Sequence, residues 1–75
     1  ARAQYNLGIS YAKGQGVPQD YTLAHMWLNL SAANGNEDGT KGRDIVAEVM
    51  TSSAIENAQA MARKCMSSDY QDCGY

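Results

Sequence analysis

Ala3-Gln4-Tyr5-Asn6-Leu7-Gly8-Ile9-Ser10-Tyr11-Ala12-Lys13 runs directly into Gly14-Gln15-Gly16-Val17-Pro18-Gln19-Asp20-Tyr21. In the first half, polar Arg2, Asn6, Ser10 and Lys13 follow one another at helical spacing, and nearly everything between them is apolar or small. The apolar arc is therefore wide, and this helix is expected to be covered on two sides. Gly14 and Gly16, followed by Val17-Pro18, stop it. Asp20 then suits the N-cap of the next helix, because its carboxylate can accept from the orphan amides of a first turn.

Working outward, residues 21–34 predict a second helix with one narrow polar stripe, Thr22, His25 and Asn29. A surface helix needs only one apolar face, whereas this one needs neighbours on at least two flanks. Asn34-Gly35 ends it, with Gly35 able to adopt a left-handed C-cap. A third segment, residues 36–50, carries one apolar stripe of Ile45, Val46, Val49 and Met50. Gly39 and Gly42 each cost about 1 kcal/mol relative to Ala inside a helix, so its first half is either weak or very closely packed. A fourth helix opens at Thr51, a suitable N-cap, and runs to about Met66. Ile55, Ala58, Met61, Ala62, Cys65 and Met66 form its expected buried side. Residues 67–75 form an acidic tail. No strand alternation occurs, so the chain reads as all-α, with about four antiparallel helices.

Composition narrows the function classes. The chain has 75 residues, 44% hydrophobic and 19% charged, with a formal net charge of −2. That is one small domain, and eleven alanines, four methionines and five tyrosines stand in for the scarce large aliphatics. A pI near 5.0 argues against nucleic-acid binding, which needs a basic face. No apolar run approaches the ~20 residues of a membrane span. With neither a signal-peptide pattern nor an initiator Met, the chain reads as a mature product or an excised fragment.

Ala3-Gln4-Tyr5-Asn6-Leu7-Gly8, Tyr11, Gly14 to Tyr21, Ala24, Trp27 and Ala32-Ala33-Asn34-Gly35 together closely resemble the Sel-1-like repeat, a tetratricopeptide-like helical hairpin that normally occurs in tandem. The resemblance covers residues 1–36. Residues 37–66 resemble a degenerate second copy followed by the closing helix found at the end of many bacterial arrays, and 67–75 are the tail. Ser52 and Ala54 leave Thr51 without the acidic partner of a full capping box. The resemblance implies a tetratricopeptide-like α-α superhelix. Small Gly8, Ala24 and Ala32 would let two helices approach closely, with Leu7, Tyr11 and Trp27 filling the space around them. One hairpin cannot bury its own apolar faces, so the chain is expected either to associate with another copy or to follow preceding repeats of the same chain.

The chemistry-bearing residues are few. Gly14-x-Gly16 lacks the preceding strand and third glycine of a phosphate loop, and reads as a turn. His25 is the single histidine; on the stripe with Thr22 and Asn29 it reads as solvated, and catalysis would need a nucleophile or carboxylate held against it. Asp38, Asp44, Glu48 and Glu56 read as solvated charges, not as a hydrolytic pair facing across a cleft. Two cysteines and one histidine do not make a four-ligand zinc site, so no metal and no cofactor are expected. Cys65 and Cys73 are expected to form a disulfide if the protein is exported, in a bacterial periplasm or beyond, and to be reduced thiols if it is cytosolic.

The leading expectation is a non-catalytic protein-interaction or scaffold module. In tetratricopeptide-like solenoids the first helix of each hairpin lines the concave face, which makes Arg2, Asn6, Ser10 and Lys13 the candidate partner-binding residues; ordinary solvated surface is the alternative. Two other roles stand beside it: a small exported hydrolase or enzyme accessory protein using His25, and a purely structural end-cap of a longer array.

Overall fold

Three side chains set where helices begin. Asp20 Oδ1 accepts from the Leu23 amide at 3.1 Å, Asn36 Oδ1 from the Gly39 amide at 3.1 Å, and Thr51 Oγ1 from the Ala54 amide at 3.1 Å. Each satisfies a donor that the first turn of a helix leaves without a partner. The computed structural model describes residues 2–71 and 73. Among them are four helices: α1 (Arg2–Lys13), α2 (Tyr21–Ala33), α3 (Glu37–Ala47) and α4 (Ser52–Ser67). The described residues contain no strand.

Helix ends are closed as carefully. At the end of α1 the loop turns back on it. Gln15 N donates to Ser10 O, Asp20 N to Tyr11 O, and the Gln19 carboxamide to Ala12 O at 2.9 Å. At the end of α2, Asn36 N donates to Ser31 O and Gly35 N to Ala32 O, with Gly35 at φ +95°. That pair of bonds is a Schellman closure, and glycine meets its left-handed position without a steric penalty. The same closure ends α4, from Tyr70 N to Cys65 O and Asp69 N to Met66 O. Here the left-handed residues are Asp69 (φ +58°) and Tyr70 (φ +64°), not glycine.

Helix α2 is the hub. The other three helices all pack on it, while α3 and α4 lie against α2 more than against each other. One side of α2 contributes Met26, Trp27 and Leu30 to a cluster with Ala62, Cys65 and Cys73, which Leu7, Tyr11, Leu23 and Met61 border. Its other side contributes Ala24 and Leu28 to a cluster with Val46, bordered by Tyr5, Ile9 and Met50. Trp27 is interior, 5% exposed.

Glycines make the close contacts. A Cβ on Gly8 would stand 2.8 Å from Leu28 Cγ and 3.2 Å from Ala24 O. One on Gly39 would collide with the Ser31 hydroxyl and stand 2.9 Å from Ala32 N. Of the two readings of the glycines in α3, the structure has the close-packed one. This docking changes the expected apolar stripe of α3. Val46 is buried and Met50 half-buried, but Ile45 and Val49 are 65% and 64% exposed. The face that follows from Gly39 is Gly42 and Val46, and Ile45 and Val49 lie beside it. On α4, Ala58, Ala62 and Cys65 are buried, Ile55 and Met61 half-buried, and Met66 exposed.

Candidate functional site

The four polar positions of α1 follow from one another by steps of four, four and three, so they line one face of the helix, away from buried Gly8. Arg2, Asn6 and Lys13 are exposed, and Ser10 is half-buried. The Ser10 hydroxyl donates to Asn6 O at 3.0 Å, a bond back to the preceding turn that satisfies one helix carbonyl a second time. Lys13 lies in the last turn, where its cation complements the helix dipole. Residues 2–19 carry Arg2 and Lys13 and no carboxylate. The apolar arc of α1 is covered by its own neighbours: Tyr5, Leu7, Ile9 and Tyr11 are all half-buried.

His25 differs from its sequence reading. It is 2% exposed, not solvated. The stripe it shares with Thr22 and Asn29 looks like a solvent face only while α2 is read as a surface helix. In the fold, α3 lies along it. Arg43 Nη1 reaches across from α3 to donate to Asn29 Oδ1 at 2.9 Å, and Arg43 Nε lies 3.5 Å from Asp44 Oδ1. Burial pushes the His25 imidazole below its ordinary pKa, the Arg43 guanidinium pushes it further down, and the Asp44 carboxylate opposes both. Among the described residues nothing hydrogen-bonds to His25 Nδ1. Asp38, Asp44, Glu48 and Glu56 are exposed. Among the described residues no group of His, Cys, Asp and Glu is arranged to hold a metal.

Cys65 and Cys73 are joined in the structure, with their Cα atoms 4.4 Å apart, and both sulfurs lie within the Trp27 cluster. The reversal that brings Cys73 back runs through the left-handed Asp69 and Tyr70. Tyr70 in turn meets Asn34, whose Nδ2 donates to Gln4 Oε1 at 3.0 Å, Leu30 O at 2.9 Å and Tyr70 Oη at 3.2 Å. One carboxamide thus ties the start of α1, the end of α2 and the turn after α4.

The family model described as Sel1 repeat matches residues 1–36. Residues 1–36 of the chain carry a Sel1 repeat. No curated protein and no solved structure matches it. The Sel1 repeat comprises α1, α2 and the turn after each, so it holds all four stripe residues, His25 and Asn34. Sel1 repeats are helical hairpins of tetratricopeptide-like form and generally serve protein–protein interaction. The disulfide lies outside the matched repeat, yet its sulfurs pack on the repeat's Trp27.

Two features escaped the sequence reading. The Arg43–Asn29 bond joins residues 14 apart whose pairing depends on how α3 docks. The Asn34 junction joins residues 30 and 36 apart. Asn34-Gly35 was legible as a helix stop, but nothing in the sequence marks Gln4 or Tyr70 as its partners.

Proposed function

We propose that this chain is a non-catalytic interaction module, and that Arg2, Asn6, Ser10 and Lys13 on α1 form the surface that receives a protein partner. The observation that carries the reading is a Sel1 repeat whose first helix presents an unbroken polar face with two cations and no carboxylate. Such a face favours an acidic or amide-rich segment, since exposed cations steer association and set specificity. Residues 37–66 dock on the repeat, because α3 and α4 take their packing from α2. Of the tail, 67–75, Cys73 is bonded to Cys65 of α4. The same cysteine pair supports an exported protein, periplasmic or secreted, where disulfides persist. No helix of the described residues is long and apolar enough to cross a membrane.

The test is co-purification from the organism's own cells with wild type, the Arg2→Glu/Lys13→Glu double variant, and Lys41→Glu on α3 as control. All three positions are exposed, so folding should be unaffected. Partners identified by mass spectrometry should disappear with the α1 variant and remain with the control. Retention of the same partners by the α1 variant overturns the assignment.

A further inference from the structure

Asn34 and Gly35 combine three properties at one exposed turn. The carboxamide Nδ2 has only two hydrogens but three acceptors around it, from α1, α2 and the turn after α4. Gly35 carries no side chain, and around the position of a Cβ there is nothing within 4 Å. Its peptide nitrogen is held by a single bond to Ala32 O, 3.1 Å long. An asparagine followed by glycine is the pair in which the next peptide nitrogen meets the least steric hindrance in reaching the carboxamide carbon, and asparagine is among the chemically labile side chains. We propose that Asn34-Gly35 is a self-modification site, and that the Tyr70 hydroxyl and the Gln4 carboxamide set its rate.

The chemistry needs only water. The Gly35 nitrogen bonds to Asn34 Cγ and the Cγ–Nδ2 bond breaks. Ammonia leaves with the proton that the Gly35 nitrogen gives up, and a cyclic imide remains. Water then opens the imide at one of its two carbonyls. Opening at the former backbone carbonyl gives isoaspartate, and opening at Cγ gives aspartate. For the ring to close, Nδ2 must leave its acceptors and the Gly35 amide must release Ala32 O. Every contact that fixes the carboxamide therefore slows the reaction.

The product remakes the junction only in part. A carboxylate has no hydrogen to donate, so Leu30 O loses its side-chain donor, and Gln4 and Tyr70 must each turn to donate instead of accept. Its charge also falls at the negative end of the α2 dipole. Isoaspartate adds a methylene to the main chain just before Gly35. That displaces the Asn36 N to Ser31 O bond, and with it the residue whose side chain caps α3. Conversion thus loosens α1, the α4 turn and the start of α3 together.

The experiment follows intact mass and peptide fragmentation of the folded, disulfide-bonded protein during incubation at mildly alkaline pH. It compares wild type, Tyr70→Phe, Gln4→Ala and Asn34→Gln. Tyr70→Phe removes only a hydroxyl from an exposed side chain, Gln4→Ala removes the contact from the other side, and circular dichroism checks that each remains helical. The amide-to-acid mass gain should map to Asn34, rise several-fold in rate in Tyr70→Phe or Gln4→Ala, and vanish from this position in Asn34→Gln. No conversion at Asn34 in either contact variant, or conversion at the wild-type rate in both, overturns the proposal.

Discussion

Gly39 shows how much a single missing methyl group can decide. Ala is the better helix former by about 1 kcal/mol, so on propensity alone Gly39→Ala should stabilise α3. Its Cβ, however, would overlap the Ser31 hydroxyl and stand 2.9 Å from Ala32 N and 3.0 Å from Leu28 O, and the last two are backbone. The helix would have to retreat, and overpacking of this kind costs roughly 1–3 kcal/mol. A net loss in the urea-unfolding free energy is expected for Gly39→Ala. Gly8→Leu should be destabilising on the same scale, while an unchanged midpoint in either would mean that α2 and its neighbours stand further apart. His25 makes a different demand. Its pKa is lowered in the folded state, so below the unfolded value of 6.5 the unfolded chain binds the proton that the native site refuses. Stability should therefore be full near neutral pH and fall as pH drops from about 6.5 toward the depressed native value. Urea titrations across that window should show the loss in wild type and a smaller one in His25→Gln, provided both unfold reversibly.

Elements were legible where their signals are local. Asp20 and Thr51 announce helix starts because capping needs only a side-chain oxygen and the next three residues. Gly35 announces a stop because only its own φ matters. The end of α4 gave no such sign: Asp69 and Tyr70 take left-handed angles where glycine is the usual residue, Asp an occasional one and Tyr a rare one, and the reversal leads to Cys73 in the core. The exposure of Ile45 and Val49, and the burial of His25, were illegible for one reason. Helical periodicity gives the angle between side chains but not which angle a neighbour covers, and α3 chose its glycine face. The candidate surface on α1 was legible as a stripe; the Asn34 junction, built from three elements, was not. For the disulfide, replacement of both Cys65 and Cys73 by Ala opens a loop of eight residues, a loss of roughly 2–3 kcal/mol from chain entropy. In a domain this small each kcal/mol lowers the Tm by roughly 4–8 °C. Because the sulfurs pack with Trp27, the variant's Trp fluorescence should also shift to the red before unfolding. An unchanged spectrum would mean that the bridge holds the tail without sealing the core.

At the scale of the whole molecule, one helix carries the fold, and this predicts an order of local stability. Helix α2 buries Ala24, His25, Met26, Trp27, Leu28, Leu30 and Ser31, and it packs against three neighbours. Helix α3 fully buries only Gly39 and Val46; its glycines draw close to Leu28, and Val46 is the side chain it adds to the cluster of Ala24 and Leu28. It ends in three tightened i→i+3 bonds, Glu48 N to Ile45 O, Val49 N to Val46 O and Met50 N to Ala47 O. Opening α3 therefore exposes little apolar area, whereas opening α2 dismantles both clusters at once. Regions with few buried apolar contacts open at free energies well below the global value. Native-state hydrogen exchange should find the slowest amides in the middle of α2, from Met26 to Leu30, exchanging only with global unfolding. The amides of α3 should exchange faster, and their opening should depend little on urea because the exposed area is small. Arg43→Ala removes the bond to Asn29 and should speed exchange in α3 while leaving central α2 amides unchanged. Equal protection in α2 and α3, with the same urea dependence, would show instead that the four helices open as a single unit and that α3's docking is as strong as the hub's.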